Sequence, residues 1–296
     1  MTRYTAVDLD QLTFPAIVGP LDYEAVLAAM KADLVALAPS LAPALEVEGD
    51  PIHAVLQAIA YRALVHEARY NDLARAAYLA TATGSDLDNL VAEYGVQRLI
   101  IVPADPDAVP PVEAVVETDA ELRDRAQLAL EAFSTAGPRG AYEFHALSAD
   151  ARVLHVGITS PVPGQVQVVV LARTGVPPPD LIVEVAAALN AEDVRPLCDQ
   201  VVVLPAEIAG YDVNAVLHFP SGPGYEAAVA EAEQALAEYI EGQRRVGATI
   251  YRSALFAALH RPGVERVELL QPLNDVVAAP TQAPWAGSVD IAVAVG

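Results

Sequence analysis

Residues 151–172, ARVLHVGITSPVPGQVQVVVLA, mark a change of period in this chain. Two strand-like runs, RVLHVGIT and GQVQVVVLA, flank Pro161-Val162-Pro163-Gly164, a turn signature. Beyond them, alternating runs are interleaved with amphipathic helices. Leu181 to Leu189 reads as a helix after Pro177-Pro178-Pro179-Asp180, Val201 to Leu204 as a buried strand, and Glu207 to Phe219 as an alternating one. Tyr225 to Gln243 follows Ser221-Gly222-Pro223-Gly224 as a long helix. Ser253 to His260 is a short helix stopped by Pro262-Gly263; VERVELL (264–270) and Val289 to Val295 close the chain as strands.

Upstream of residue 151 the spacing is helical. Thr118 or Asp119 caps a helix reaching Phe133, Gly137-Pro138 breaks the chain, and Gly140 to Asp150 is helical again. Residues 99–117, LIIVPADPDAVPPVEAVVE, contain four prolines and read as a linker or an edge segment. Before them, Leu21 to Ala38 places Leu27, Met30, Leu34 and Leu37 on one helix face, ended by Pro39 and Pro43. Asp50 is a natural N-cap with Pro51 in the first helical position. From there Ile52, Leu56, Ile59, Ala63, His66, Tyr70, Leu73 and Ala77 follow alternating steps of four and three, a heptad-like seam about 40 Å long. Ser85-Asp86-Leu87-Asp88 resembles a capping box for a short helix carrying Leu87, Leu90, Val91 and Tyr94, stopped by Gly95. Residues 1–20, with Pro15, Gly19 and Pro20, read as an extended arm.

The fold class is therefore α+β: a helical N-terminal domain followed by two small sandwich modules with largely antiparallel sheets and helices on one face. The boundaries are an arm and helical domain at 1–98, a Pro-rich linker at 99–117, and modules at 118–205 and 206–296.

Composition narrows the partners. The chain has 296 residues, 54% hydrophobic, with 39 acidic against 17 basic side chains and a net charge of −22. Phosphate contacts need clustered Lys and Arg, and Lys31 is the single lysine, so neither nucleic acid nor an anionic membrane surface is an expected partner. Cys198 alone cannot form an internal disulfide or a cysteine-based metal site. The start, MTRYTAVDLDQLTFPAIVG, lacks the order of a signal peptide, and no run reaches a membrane span, which predicts a soluble intracellular protein.

Motifs for chemistry are sparse: no Gly-Lys-Ser/Thr phosphate loop, no GxSxG elbow and no HExxH. Histidines 53, 66, 145, 155, 218 and 260 are scattered and read as packed or surface residues. The pairs Asp86/Asp88, Asp105/Asp107 and Glu192/Asp193 sit at helix starts or in loops, where carboxylates cap N–H groups. Cys198 beside Arg195-Pro196 reads as a small packing residue. No catalytic residue, cofactor or metal is expected. The seam from Ile52 to Ala77 has two readings: packing against the chain's own helices, or pairing with a partner's helix. The second is favoured because the seam outlasts both internal helices, with Arg62, Arg69 and Arg75 beside it.

The runs AYLATATGSDLDNLVAEYGVQRL (77–99), AELRDRAQLALEAFSTAGPRGAYEFHALSAD (120–150), EDVRPLCDQVVVLPAEIAGYDVNAVLHF (192–219) and EGQRRVGATIYRSALFAALHRPGVERVELLQP (241–272) resemble, in order, the baseplate J-like proteins of contractile-tailed bacteriophages. The similarity is to the short form of that family, since longer relatives carry a β-rich insertion where this chain has 99–117. The resemblance implies a structural role in the baseplate wedge, assembled in the bacterial host cytoplasm. It implies two copies per wedge, paired through their helical parts in a sixfold ring around the hub. It also implies, as neighbours, the lysozyme-like sheath-initiating wedge protein and the baseplate protein I that leads to the tail fibres. A ring that widens on sheath contraction needs rigid modules on articulated segments, and 99–117 and 134–140 are the candidates. Two other classes remain open: a hydrolase built on scattered carboxylates, and a module that binds one partner transiently.

Overall fold

The computed structural model describes residues 7–13, 18–134, 137–192, 194–222 and 224–296, and the chain divides into two compact units, Met1–Gln97 and Arg98–Gly296. In the first, the Asp22 carboxylate accepts the Ala25 N–H and starts α1 (Tyr23–Leu37). Prolines 39 and 43 then confine the chain to a 3-10 turn and the short α2 (Ala42–Leu45). Helix α3 (Pro51–Ala76) begins as its sequence predicts, with Asp50 accepting the Ile52 N–H at 2.9 Å. Its 26 residues give the length of about 40 Å expected at 1.5 Å per residue. Leu27, Leu45, Leu56 and Ala60 form the core of this unit, with Tyr23, Val26, Met30, Leu34, Val35 and Ile52 packed around them. Leu37, predicted on the packed face, is exposed at the last turn of α1.

Helix α4 (Gly84–Ala92) starts earlier than the Ser85–Asp88 box predicts. Thr83 holds the cap position in extended backbone, and Gly84, at φ +53°, turns the chain into the helix, so Ser85 lies within it. Leu87 and Val91 of α4 and the following Val96 are buried. Of the arm expected over residues 1–20, residues 1–6 and 14–17, Pro15 among them, lie outside the described residues.

In the second unit, residues 99–117 fold back on themselves as a separate two-stranded hairpin. Strand β1 (Ile100–Val102) pairs antiparallel with β2 (Val115–Val116), an isolated bridge joins Asp105 to Val112, and the Glu117 N–H donates to the Leu99 carbonyl at 2.9 Å. The base of the hairpin is locked by charge. The buried Glu117 carboxylate accepts from Arg125 Nε at 2.9 Å and Nη2 at 2.7 Å, and from the Leu99 N–H at 3.1 Å. Arg98 donates to the Glu117 carbonyl and to Asp119, both at 2.7 Å. Helix α5 (Asp119–Ala132) carries the full capping box, Thr118 with Glu121, and Glu121 also receives Arg173 at 2.6 Å.

Helix α6 (Arg139–Ala149) leads into β3 (Val153–Thr159) and β4 (Gln165–Ala172); α7 (Pro179–Leu189) then crosses to β5 (Gln200–Pro205). The sheet order is β3-β4-β5, antiparallel then parallel, as a helical crossover between neighbouring strands requires. On one face Val168, Val170 and Ala172 meet Tyr142 and Ala146 of α6 and Leu181, Val185 and Leu189 of α7. The second module runs β6 (Glu207–Phe219), α8 (Tyr225–Gly242), β7 (Thr249–Ile250), α9 (Arg252–Leu259), β8 (Arg266–Gln271), β9 (Val276–Val277) and β10 (Gln282–Val295). Its sheet order is β10-β6-β8, with β10 parallel and β8 antiparallel to β6; β7 and β9 form a separate ribbon. Val213, Ala215, Leu217 and Phe219 of β6 are buried against Ala232, Leu236 and Ile240 of α8 and Leu255 and Leu259 of α9. Four of the six strand pairings among the described residues are antiparallel, so the architecture is the expected α+β.

The two modules dock through the other face of β4. Val169 and Leu171 join Ala206 and Ala283 in a second core, flanked by Leu154, Ile208, Val246 and Trp285. Burial on both faces explains why β4 reads VVVLA without a polar interruption. Gly157 of β3 lies in the same contact: a Cβ there would stand 2.5 Å from Val246 Cγ1.

Candidate functional site

Two faces of α3 have different fates. His53, Leu56, Ala60 and Asn71 are its buried residues, so one stripe faces inward along the helix. The seam lies roughly 100° around the axis from that stripe, at 100° per residue. Leu56 belongs to both and is buried, and Ile52 and Ala63 are half-buried. From Ile59 onward the seam, Ala63 apart, faces solvent: Ile59 is 49% exposed, Tyr70 68% and Leu73 66%, with His66 and Ala77 also exposed. Fully burying side chains of this size stabilises an interface by roughly 1.5–3 kcal/mol each. Arg62 and Arg69 are exposed beside this strip, and Arg75 pairs with Asp72 at 3.5 Å.

Asn71 is a buried polar residue that sequence reasoning missed. Its side-chain amide binds one peptide unit in both directions: Nδ2 donates to the Gly19 carbonyl at 2.9 Å, and Oδ1 accepts the Gly19 N–H at 3.2 Å. The arm is thereby fastened to the second half of α3. Between them lies an open groove of about 770 Å³ lined by Gly19, Pro20, Glu67, Tyr70, Leu73 and Ala74. A lone helical asparagine normally reads as solvent-exposed, so no local signal announced the clamp.

The other candidates are dispersed. Asp105 accepts the N–H groups of Asp107 and Ala108, a turn-capping role. Asp86 is exposed in the first turn of α4, and Asp193 lies outside the described residues, as does Pro223 of the Ser221–Gly224 turn. Cys198 is exposed rather than packed, and the Arg195 guanidinium points to the Asn190 side chain at 3.1 Å. His53 is buried with Nδ1 3.4 Å from the Val47 carbonyl, and His218 lies 3.2 Å from Glu268. Partly buried His155, on β3, accepts the Val246 N–H on Nδ1 at 3.2 Å; burial, and then the charges of Arg245 and Arg139, push its pKa down to about 4. Among the described residues no three His, Cys, Asp or Glu side chains converge to hold a metal ion, and no helix is long and apolar enough to cross a membrane.

The amino-acid sequence has counterparts among known proteins. Family models match the chain in order: the baseplate J-like N-terminal domain over residues 48–105, the baseplate J-like central domain over 134–205, and the baseplate J-like protein C-terminal domain over 211–292. The chain belongs to the baseplate J-like family. Over 286 residues it is 45% identical to baseplate protein J of Escherichia phage P2, a match covering 94% of this chain and 95% of that one. The first family model contains the whole of α3.

Proposed function

We propose that this chain is a non-catalytic structural component of the baseplate wedge of a contractile phage tail or tail-like injection particle. Similarity to the phage P2 baseplate protein along nearly the whole chain supports the baseplate role. The observation that carries the interface assignment is the solvent-facing half of the α3 seam, Ile59, Tyr70 and Leu73, next to a helix face already filled by the unit's own core. Apolar residues on a second face, beyond those the core uses, are what a helix presents to another chain. In this reading two copies pair within each wedge through α3, and wedges close into a sixfold ring around the hub. The lysozyme-like sheath-initiating protein and baseplate protein I are the neighbouring partners, and the particle assembles in the host cytoplasm. The parts of the subunit are then the helical domain (1–98), the 99–117 connector and the docked modules at 118–205 and 206–296. The connector and 134–140 are the articulations, although residues 135 and 136 lie outside the described residues.

The test is the double substitution Ile59→Glu and Leu73→Glu. Wedge assembly on native gels and tail particles in micrographs should be lost, while circular dichroism and Trp285 fluorescence remain those of the folded chain. Particles of normal yield would show that the seam holds no partner.

A further inference from the structure

The open part of the α3 seam runs from Ile59 to Ala77, about 27 Å at 1.5 Å per residue. Written as heptads, Ile59, His66 and Leu73 take position d, and Ala63, Tyr70 and Ala77 take position a. Arg62 and Arg69 then fall at g on one flank, and Ala60, Glu67 and Ala74 at e on the other. Ala60 is buried in the unit's own core, so the second flank opens only from Glu67 onward. The groove beside the arm lies on that flank, lined by Glu67, Tyr70, Leu73 and Ala74. Arg62, Glu67 and Arg69 are exposed, and no ion pair among the described residues holds them.

These flanks fix the orientation in which α3 can meet its own copy. In an antiparallel pair of helices, g faces g and e faces e. One register then sets Arg62 against Arg69 of the second copy. The next register sets Arg69 against Arg69 and Glu67 against Glu67. Both bring like charges together. In a parallel pair, g faces e of the following heptad, so Arg62 meets Glu67 of the second copy, and twofold symmetry makes the contact twice. Arg69 then faces Ala74, whose small side chain leaves the groove free for the arginine stem, with Tyr70 beside it.

The seam agrees with the flanks. Parallel and in register, Ile59, Tyr70 and Leu73 each stack on their own copy. His66, the polar layer, also meets itself, and a lone polar layer holds register at some cost in stability. We infer that α3 of one copy pairs with α3 of a second, parallel and in register, with Arg62 of each copy against Glu67 of the other. The inference rests on the proposed use of the seam as an interface and adds the geometry of the pair.

Cross-linking reads the orientation in the full chain, with Cys198→Ser removing the native thiol. Copies carrying Ala77→Cys should join one another under mild oxidation, because a parallel pair sets the two positions side by side. An antiparallel pair holds them about 27 Å or more apart. It would instead join Ile59→Cys copies to Tyr70→Cys or Ala77→Cys copies, and that outcome would overturn the inference. Sedimentation supplies the charge test. Arg62→Glu should weaken the pair about tenfold, and adding Glu67→Arg to it should restore the pair. Unchanged or tighter association of Arg62→Glu, or a double variant as weak as the single one, would also overturn it. Failure of the interface assignment itself looks different: Ile59→Glu with Leu73→Glu would leave tail particles intact, and neither set of cysteines would join.

Discussion

Glu117 and Arg125 are both almost fully buried, and three hydrogen bonds converge on one carboxylate at the point where the hairpin meets α5. Such a pair is weak evidence of net stability, because desolvating two charges offsets most of their attraction. Breaking it is another matter, since the remaining charge stays buried without compensation. Arg125→Met should therefore destabilise the second unit by roughly 3–5 kcal/mol, read as a lowered urea midpoint. Glu117→Gln combined with Arg125→Met should recover much of that loss, because neither side chain then carries a charge. A double variant as unstable as the single one would mean that packing, not charge, explains the effect. Little of this was legible beforehand: Glu117 looked like the acidic tail of a proline-rich stretch, eight residues from an arginine on a helix. Their meeting depends on the hairpin closing, which no local pattern specifies. Cys198 is the opposite case, where small size suggested packing and the surrounding Pro196-Leu197 turn leaves it exposed.

Helix α3 shows which properties of an element are local and which are not. Its start was legible because Asp50 and Pro51 act on their own backbone, and Thr118 was one of two caps expected for α5 for the same reason, although the partner role of Glu121 was not read. Its inward face was not. Apolar residues occur nearly all round α3, so the stripe that becomes core is chosen by α1 and α2, not by periodicity alone. Strand β10 was anticipated from Val289, yet it begins at Gln282; Pro284 and Gly287 look like breakers but are tolerated on an edge strand with a bulge. The Asn71 clamp gives α3 a testable second duty. Asn71→Ala leaves both Gly19 backbone groups without their partner, at a cost of about 1–3 kcal/mol where they are shielded from water. Hydrogen exchange at Gly19 should accelerate and protease should cut nearer residue 20, with α3 itself still helical by circular dichroism. Unchanged exchange at Gly19 would show that the arm is held elsewhere.

Docking of the two modules couples the second unit to pH through His155. Its Nδ1 must be unprotonated to accept the Val246 N–H, and its folded pKa of about 4 lies below the ordinary 6.5. Between those values the unfolded chain takes up a proton that the folded chain refuses, so stability is complete above about pH 6.5 and declines as pH falls toward 4. For one such group the loss from pH 6.5 to 5 is about 1.5 kcal/mol. Carboxylates act differently. Glu121 and Asp150, lowered by arginine and hydrogen-bond partners against the cost of burial, lose their contribution only below ordinary carboxylate values. Glu143, raised by burial, works in the opposite direction to His155. Trp285 is the only tryptophan and lines the same inter-module core as Val246, so its fluorescence reads this contact directly. Urea titrations of Trp285 emission should give a lower midpoint at pH 5 than at pH 6.5. His155→Gln, whose side-chain carbonyl can still accept the Val246 N–H without titrating, should flatten that difference. If the variant keeps the full pH dependence, the proton is taken up elsewhere and the module contact is not its sensor. Although the chain is acidic as a whole, the groups beside this contact are cationic: Arg245 and Arg139 act on His155 and Arg244 lies 4.3 Å from the Trp285 ring, so a proton added to the imidazole meets positive charge as well as burial.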